Sequence, residues 1–106
     1  MSNKKESSTK QKRRLRGIAH HLDPVVTVAD QGLTDAVVKE TCRALKDHEL
    51  IKVKLALSDK TDRKAIADEL AKQCKAQCLQ LIGKVGVFFK ENPEADPRLS
   101  NLQRYE

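Results

Sequence analysis

The chain has 106 residues, 39% of them apolar and 3% aromatic, which is enough for one domain with a modest core and too little for two. Its formal charge is +6, and residues 1–20 carry all of it: Lys4, Lys5, Lys10, Lys12, Arg13, Arg14 and Arg16 stand against Glu6 alone, and the remaining charges balance. No apolar run approaches the ~18 residues of a membrane span or follows the charged start as in a signal peptide, and an odd set of cysteines (Cys42, Cys74, Cys78) predicts reduced thiols in a cytoplasmic protein.

Residues 1–8 are polar, basic and aperiodic, and are expected to be disordered. From Thr9 the pattern is helical: Leu15, Ile18, Ala19 and Leu22 share one side, and Lys10, Arg13, Arg14 and Arg16 fall largely on the other. Pro24 stops this helix after His20 and His21, whose imidazoles suit a helix C-terminus. VVTV (25–28) reads as a buried strand. Thr34 then caps a second helix, with Val37, Val38, Thr41, Ala44 and Leu45 inward and Lys39, Arg43 and Lys46 as a basic stripe outward. LIKVKLAL alternates Ile51, Val53, Leu55 and Leu57 with Lys52 and Lys54, a strand with one buried and one partly basic face. SDKTD opens a third helix over roughly 62–75, with Ile66, Ala67, Leu70 and Cys74 inward. Two strand-like runs, 78–82 and 85–89, flank Gly83-Lys84 as in a type II′ hairpin. Residues 91–106 contain two prolines and little apolar content, and are expected to be loose. The order helix, strand, helix, strand, helix, strand, strand predicts a single small α/β domain with one sheet of four strands.

Catalytic chemistry has no visible constellation: GxSxG, Walker, HExxH and CxxC patterns are absent, and the cysteine and histidine spacings match no recurring zinc motif. No cofactor, metal or small-molecule substrate is implied. What remains is cationic and backbone chemistry suited to a polyanion. Two strings compete as a backbone clamp for phosphate. GKVG (83–86) has the spelling, but Gly86 falls within a strand, where its N–H belongs to the ladder. ADQG (29–32) joins a strand to a helix N-terminus, whose free N–H groups and dipole favour an anion, although Asp30 opposes one.

The segments TKQKRRLRGIAHHLDPVVTVADQGLT, HELIKVKLAL and QLIGKVGVFFK together resemble the YhbY family, single-domain members of the chloroplast RNA splicing and ribosome maturation (CRM) RNA-binding domain, over about residues 9–90. The resemblance implies a mixed four-stranded sheet with three helices, in order α-β-α-β-α-β-β, similar to the C-terminal domain of a bacterial translation initiation factor and to KH domains. It also implies a non-enzymatic monomer that binds large-subunit ribosomal RNA precursor in pre-ribosomal particles. The family's GxxG loop falls on Ala29, Asp30, Gln31 and Gly32, with Ala29 in place of the first glycine; a positive φ there would cost about 1 kcal/mol. Lys75-Ala76 stands where the family has a helix-ending glycine. The expected RNA contacts are Lys10, Lys12, Arg13, Arg14 and Arg16, the backbone of residues 29–32, and Lys39 and Arg43. A nucleoid-type DNA binder, or a ribosome-docking module with no direct RNA contact, are the alternatives.

Overall fold

The structure is a computed structural model and describes residues 9–104. The expected disordered segment 1–8 lies outside the described residues. The elements are α1 (Thr9–Ala19), β1 (Pro24–Val28), α2 (Asp35–His48), β2 (Leu50–Leu55), α3 (Lys60–Cys74), β3 (Gln77–Ile82), β4 (Val85–Phe89) and a single helical turn α4 (Asn101–Arg104). The sheet order is β1-β2-β4-β3, with β1 and β2 parallel and the other pairs antiparallel. This is the predicted mixed sheet.

Because side chains alternate across a strand, the sheet has two apolar faces and each needs its own cover. On one, Val26, Val28, Ile51, Val53, Leu55 and Phe88 pack under α2 and α3, which contribute Leu45, Ala67, Leu70 and Cys74. On the other, Leu50, Val87 and Phe89 pack under Leu15, Ile18 and Ala19 of α1. Leu15, Leu45, Leu70 and Phe88 have no exposed surface, and each such burial stabilises by about 1.5–3 kcal/mol. Lys52 and Lys54 point to the α1 face, as the alternation of β2 requires.

The helix ends follow local chemistry. Thr34 Oγ1 accepts from Val37 N at 3.1 Å, the predicted N-cap. Asp59 Oδ1 accepts from Thr61 N at 2.7 Å, so α3 begins at Lys60, two residues before the expected start. At the other end Lys75 takes the left-handed φ of 55° in the place of the family's glycine, with its N–H bonded to the last turn. A lysine there bears a strain of about 1 kcal/mol. The β3–β4 hairpin turns on Gly83 at φ 58°, with Lys84 at negative φ, as a type II′ turn demands.

Two expectations are corrected. Cys42 and Cys74 form a disulfide that ties α2 to α3, with Cα atoms 5.2 Å apart, and only Cys78 is a free thiol. Spacing along the chain gave no sign of it, because the two residues meet through helix packing 32 positions apart. Reduction is expected to lower the unfolding free energy by about 4 kcal/mol, on the chain-entropy estimate for a loop of that length. Urea titrations with and without a reductant measure it.

Within the described residues the segment after β4 is held rather than loose, and residues 105–106 of the expected tail lie outside them. Glu49, the C-cap of α2 at φ 64°, is buried, and its carboxylate accepts from Asn92 N at 2.7 Å and from Ser100 Oγ at 2.8 Å. Asn101 Nδ2 donates to Leu50 O at 2.7 Å, and His48 Nδ1 donates to Leu99 O at 2.7 Å. Polar anchors do the work that apolar periodicity does elsewhere, so a low apolar content misled the reading. Glu49→Ala removes an acceptor from two donors and should destabilise the fold by about 2 kcal/mol or more. Faster amide exchange confined to residues 91–102 is the accompanying signature.

Candidate nucleic-acid interface

The loop between β1 and α2 is a tight turn: Ala29 O accepts from Gly32 N at 2.9 Å, and Gly32 O from Thr34 N at 3.1 Å. Gly32 has φ 73°, while Ala29 has negative φ, so the alanine in place of the family's first glycine carries no left-handed strain. The space around Gly32 is open, with Ile66 Cδ1 3.9 Å from where a Cβ would stand; conformation, not room, requires the glycine. One expectation is refined here. The N–H groups of Gly32 and Thr34 are spent inside the turn, while those of Asp30, Gln31 and Leu33 make no backbone hydrogen bond and can meet an anion.

The sheet brings further groups to this end. Ala56 N donates to Val28 O at 2.8 Å and Leu55 N to Lys84 O at 2.6 Å, so the exits of β1 and β2 and the Gly83-Lys84 turn lie side by side. At about 4.8 Å per strand, the loop and Lys84 are roughly 10 Å apart. The N-termini of α2 and α3 open at the same end. The two strings that competed in the sequence therefore share one edge of the molecule, with different tasks. Gly86 is buried in β4, and its Cβ position is 2.8 Å from Phe88 Cε1, which makes it a packing glycine.

Five predicted residues lie on α1, over the Leu50–Phe89 end of the sheet, away from the loop. Lys10, Arg13 and Arg14 are exposed, and Lys12 and Arg16, one turn apart, are half-buried. Lys39 and Arg43 are exposed on α2, in the layer on the opposite side of the sheet. Lys39 lies five residues past the cap, or ~7 Å along the helix from the loop. The structure thus joins Lys39 to the loop but separates both from α1.

The gap is spanned by residues of the strands themselves. Beyond α1, the register lines up Thr27, Lys54, Val85 and Ile82 in a row across all four strands, uncovered by any described element. Lys54 and Thr27 are exposed, Ile82 is 66% exposed, and Lys52 lies half-buried one pleat nearer α1. Lys52, Lys54 and Lys84 therefore form a basic bridge from α1 to the loop. The signal was present in the sequence as the lysine phase of LIKVKL, but which face α1 would leave open was not.

The aromatic side chains of the sheet are inside: Phe88 is fully buried and Phe89 is 5% exposed, so bases have no ring to stack on there. Burial pushes the Cys78 thiol above its ordinary pKa. Among the described residues no helix is long and apolar enough to cross a membrane.

A mixed four-stranded sheet with a strand-to-helix turn and a basic open face defines a small α/β domain of the nucleic-acid-binding kind. The match is to a named family. The model of the CRS1 / YhbY (CRM) domain covers residues 8–90, and the chain belongs to that family, which is non-enzymatic. It is 48% identical over 95 residues to a protein of Pseudomonas aeruginosa named as a probable RNA-binding protein, covering 90% of this chain and 91% of that one. It is 44% identical over 92 residues to a Haemophilus influenzae RNA-binding protein, covering 87% and 93%. A solution structure from Staphylococcus aureus superposes with a TM-score of 0.75 at 31% identity, over 86% of this chain and 95% of that one.

Proposed function

We propose that this protein binds structured ribosomal RNA of the large-subunit precursor in the cytoplasm, as a monomer, and assists assembly of that subunit. The observation that carries the reading is the continuity of cationic groups with a strand-to-helix turn: α1, then Lys52 and Lys54, then Lys84 and the loop at Gly32. Its relatives in P. aeruginosa and H. influenzae carry RNA-binding names, which supports the RNA part of this reading. In this reading Lys10, Lys12, Arg13, Arg14 and Arg16 contact phosphates at one end. The N–H groups of Asp30 and Gln31, next to Ala29 and Gly32, receive a phosphate at the other, and Lys39 and Arg43 extend the contact past the loop. Recognition then rests on backbone shape and charge, since stacking is unavailable.

A competition experiment tests it. A labelled large-subunit RNA fragment should be displaced by unlabelled structured ribosomal RNA at far lower concentration than by duplex DNA. Equal displacement favours a DNA binder, and no binding of protein-free RNA favours a module that docks on ribosomal proteins. Crosslinking in cells should enrich large-subunit precursor; RNA scattered over messengers defeats the assembly role.

A further inference from the structure

The sheet ends at β3, and no described element pairs with its outer edge. Proteins protect such edges with charge, proline or irregularity, because unpaired N–H and C=O groups recruit other strands. The opposite edge, β1, opens with Pro24 and a register shift. β3 reads QCLQLI, without a charge or a proline, and its one irregularity between Cys78 and Gln80 leaves Gln80 to Ile82 regular.

Alongside this edge runs a groove of about 830 Å³ between β3 and the first half of α3. Ala67 and Leu81 line it from the α3 side of the sheet, and Lys60, Arg63 and Lys64 form a basic rim. Asp68 is the one acidic residue lining it; its exposed pair with Lys64 at 2.7 Å leaves Lys60 and Arg63 unbalanced, so the rim stays net positive. Arg63 is held by its Nη1 to Leu57 O at 2.6 Å and Ser58 O at 3.0 Å, while its buried Nε has no acceptor among the described residues.

We propose that the outer edge of β3 docks an acidic, extended segment of a partner protein, which adds to the sheet as a fifth strand with its carboxylates on the Lys60, Arg63 and Lys64 rim. This goes beyond the RNA reading and does not rest on it. An edge strand presents donors and acceptors in alternation, which a second strand matches in full. A phosphodiester only accepts, and would leave the carbonyls of β3 unpaired. A second copy of this chain would bring an identical cationic rim against the first, and so sets like charges opposite.

The test uses the full chain, 15N-labelled, with capped seven-residue peptides. One alternates valine with glutamate and the other valine with lysine, each followed by amide shifts and by anisotropy of a labelled form. The acidic peptide should bind at least tenfold more tightly, with shifts confined to residues 77–83 and the first turns of α3. Of two acidic peptides N-methylated at odd or at even positions, one should lose at least tenfold in affinity and the other little. Lys60→Glu with Lys64→Glu, both exposed and so compatible with an unchanged circular dichroism spectrum, should weaken binding at least tenfold. The proposal is overturned by equal binding of the two peptides, by indifference to both N-methylations, or by shifts centred on α1 or residues 29–34. It is equally overturned if the β3 shifts appear without peptide as concentration rises, which marks self-pairing, or if structured RNA alone produces them.

Discussion

Lys54→Glu together with Lys84→Glu should lower affinity for structured RNA by about tenfold to a hundredfold, and reduce the slope of log K against log salt by roughly two. Both side chains are exposed and the circular dichroism spectrum should not change. Reversal of Lys10 and Arg13 on α1, also exposed, is the matched experiment at the other end of the surface. If one RNA spans α1, the open row and the loop, both double variants weaken binding, and the losses add in the quadruple variant. If only one zone meets RNA, one double variant is silent. Truncation of residues 1–16 would be a poorer probe, since it removes Leu15, which is fully buried against β2 and β4.

The two glycines of the competing strings should separate stability from binding. Gly86→Ala places a methyl 2.8 Å from the ring of Phe88, which has no room to retreat, and should cost about 1–3 kcal/mol of stability with RNA affinity unchanged once the protein is folded. Gly32→Asp forces a left-handed residue and adds an anion beside the free N–H groups of Asp30 and Gln31. It should lose about 1 kcal/mol of stability and a larger factor in affinity. Gly32→Asn shares the backbone demand without the charge, and asparagine tolerates it best among residues with a Cβ. Asparagine should therefore retain most of the binding. Denaturant titration and anisotropy on the same preparations give both quantities. A Gly86→Ala chain of wild-type stability would contradict the packing role, and equal affinities for the Asp and Asn variants would remove the anion from the loop.

The core of the fold was legible because its signals are local. Leu15, Ile18 and Ala19 repeat at the helical period, Ile51, Val53 and Leu55 alternate, and Thr34 sits three residues before the N–H it caps. Each of these needs only a few neighbours in the chain, and each element from α1 to β4 stands within two residues of where those neighbours put it. The candidate site was half legible. Clustered charge marked α1, and the strand-to-helix context marked ADQG. Lys54 and Lys84 escaped, because their value depends on a register that sets Thr27, Lys54, Val85 and Ile82 in one row.

Local pattern thus determined the order of the elements from α1 to β4, their buried stripes and the basic first helix. Periodicity and capping act over one or two turns, and one chain suffices to read them. Only the tertiary structure decided that α1 covers half a sheet face and leaves a lysine-bearing row open. It alone brought Lys84 beside the loop, joined Cys42 to Cys74, and anchored Asn92 and Ser100 on the Glu49 carboxylate. Those outcomes depend on contacts between residues tens of positions apart, whose geometry no local spacing encodes.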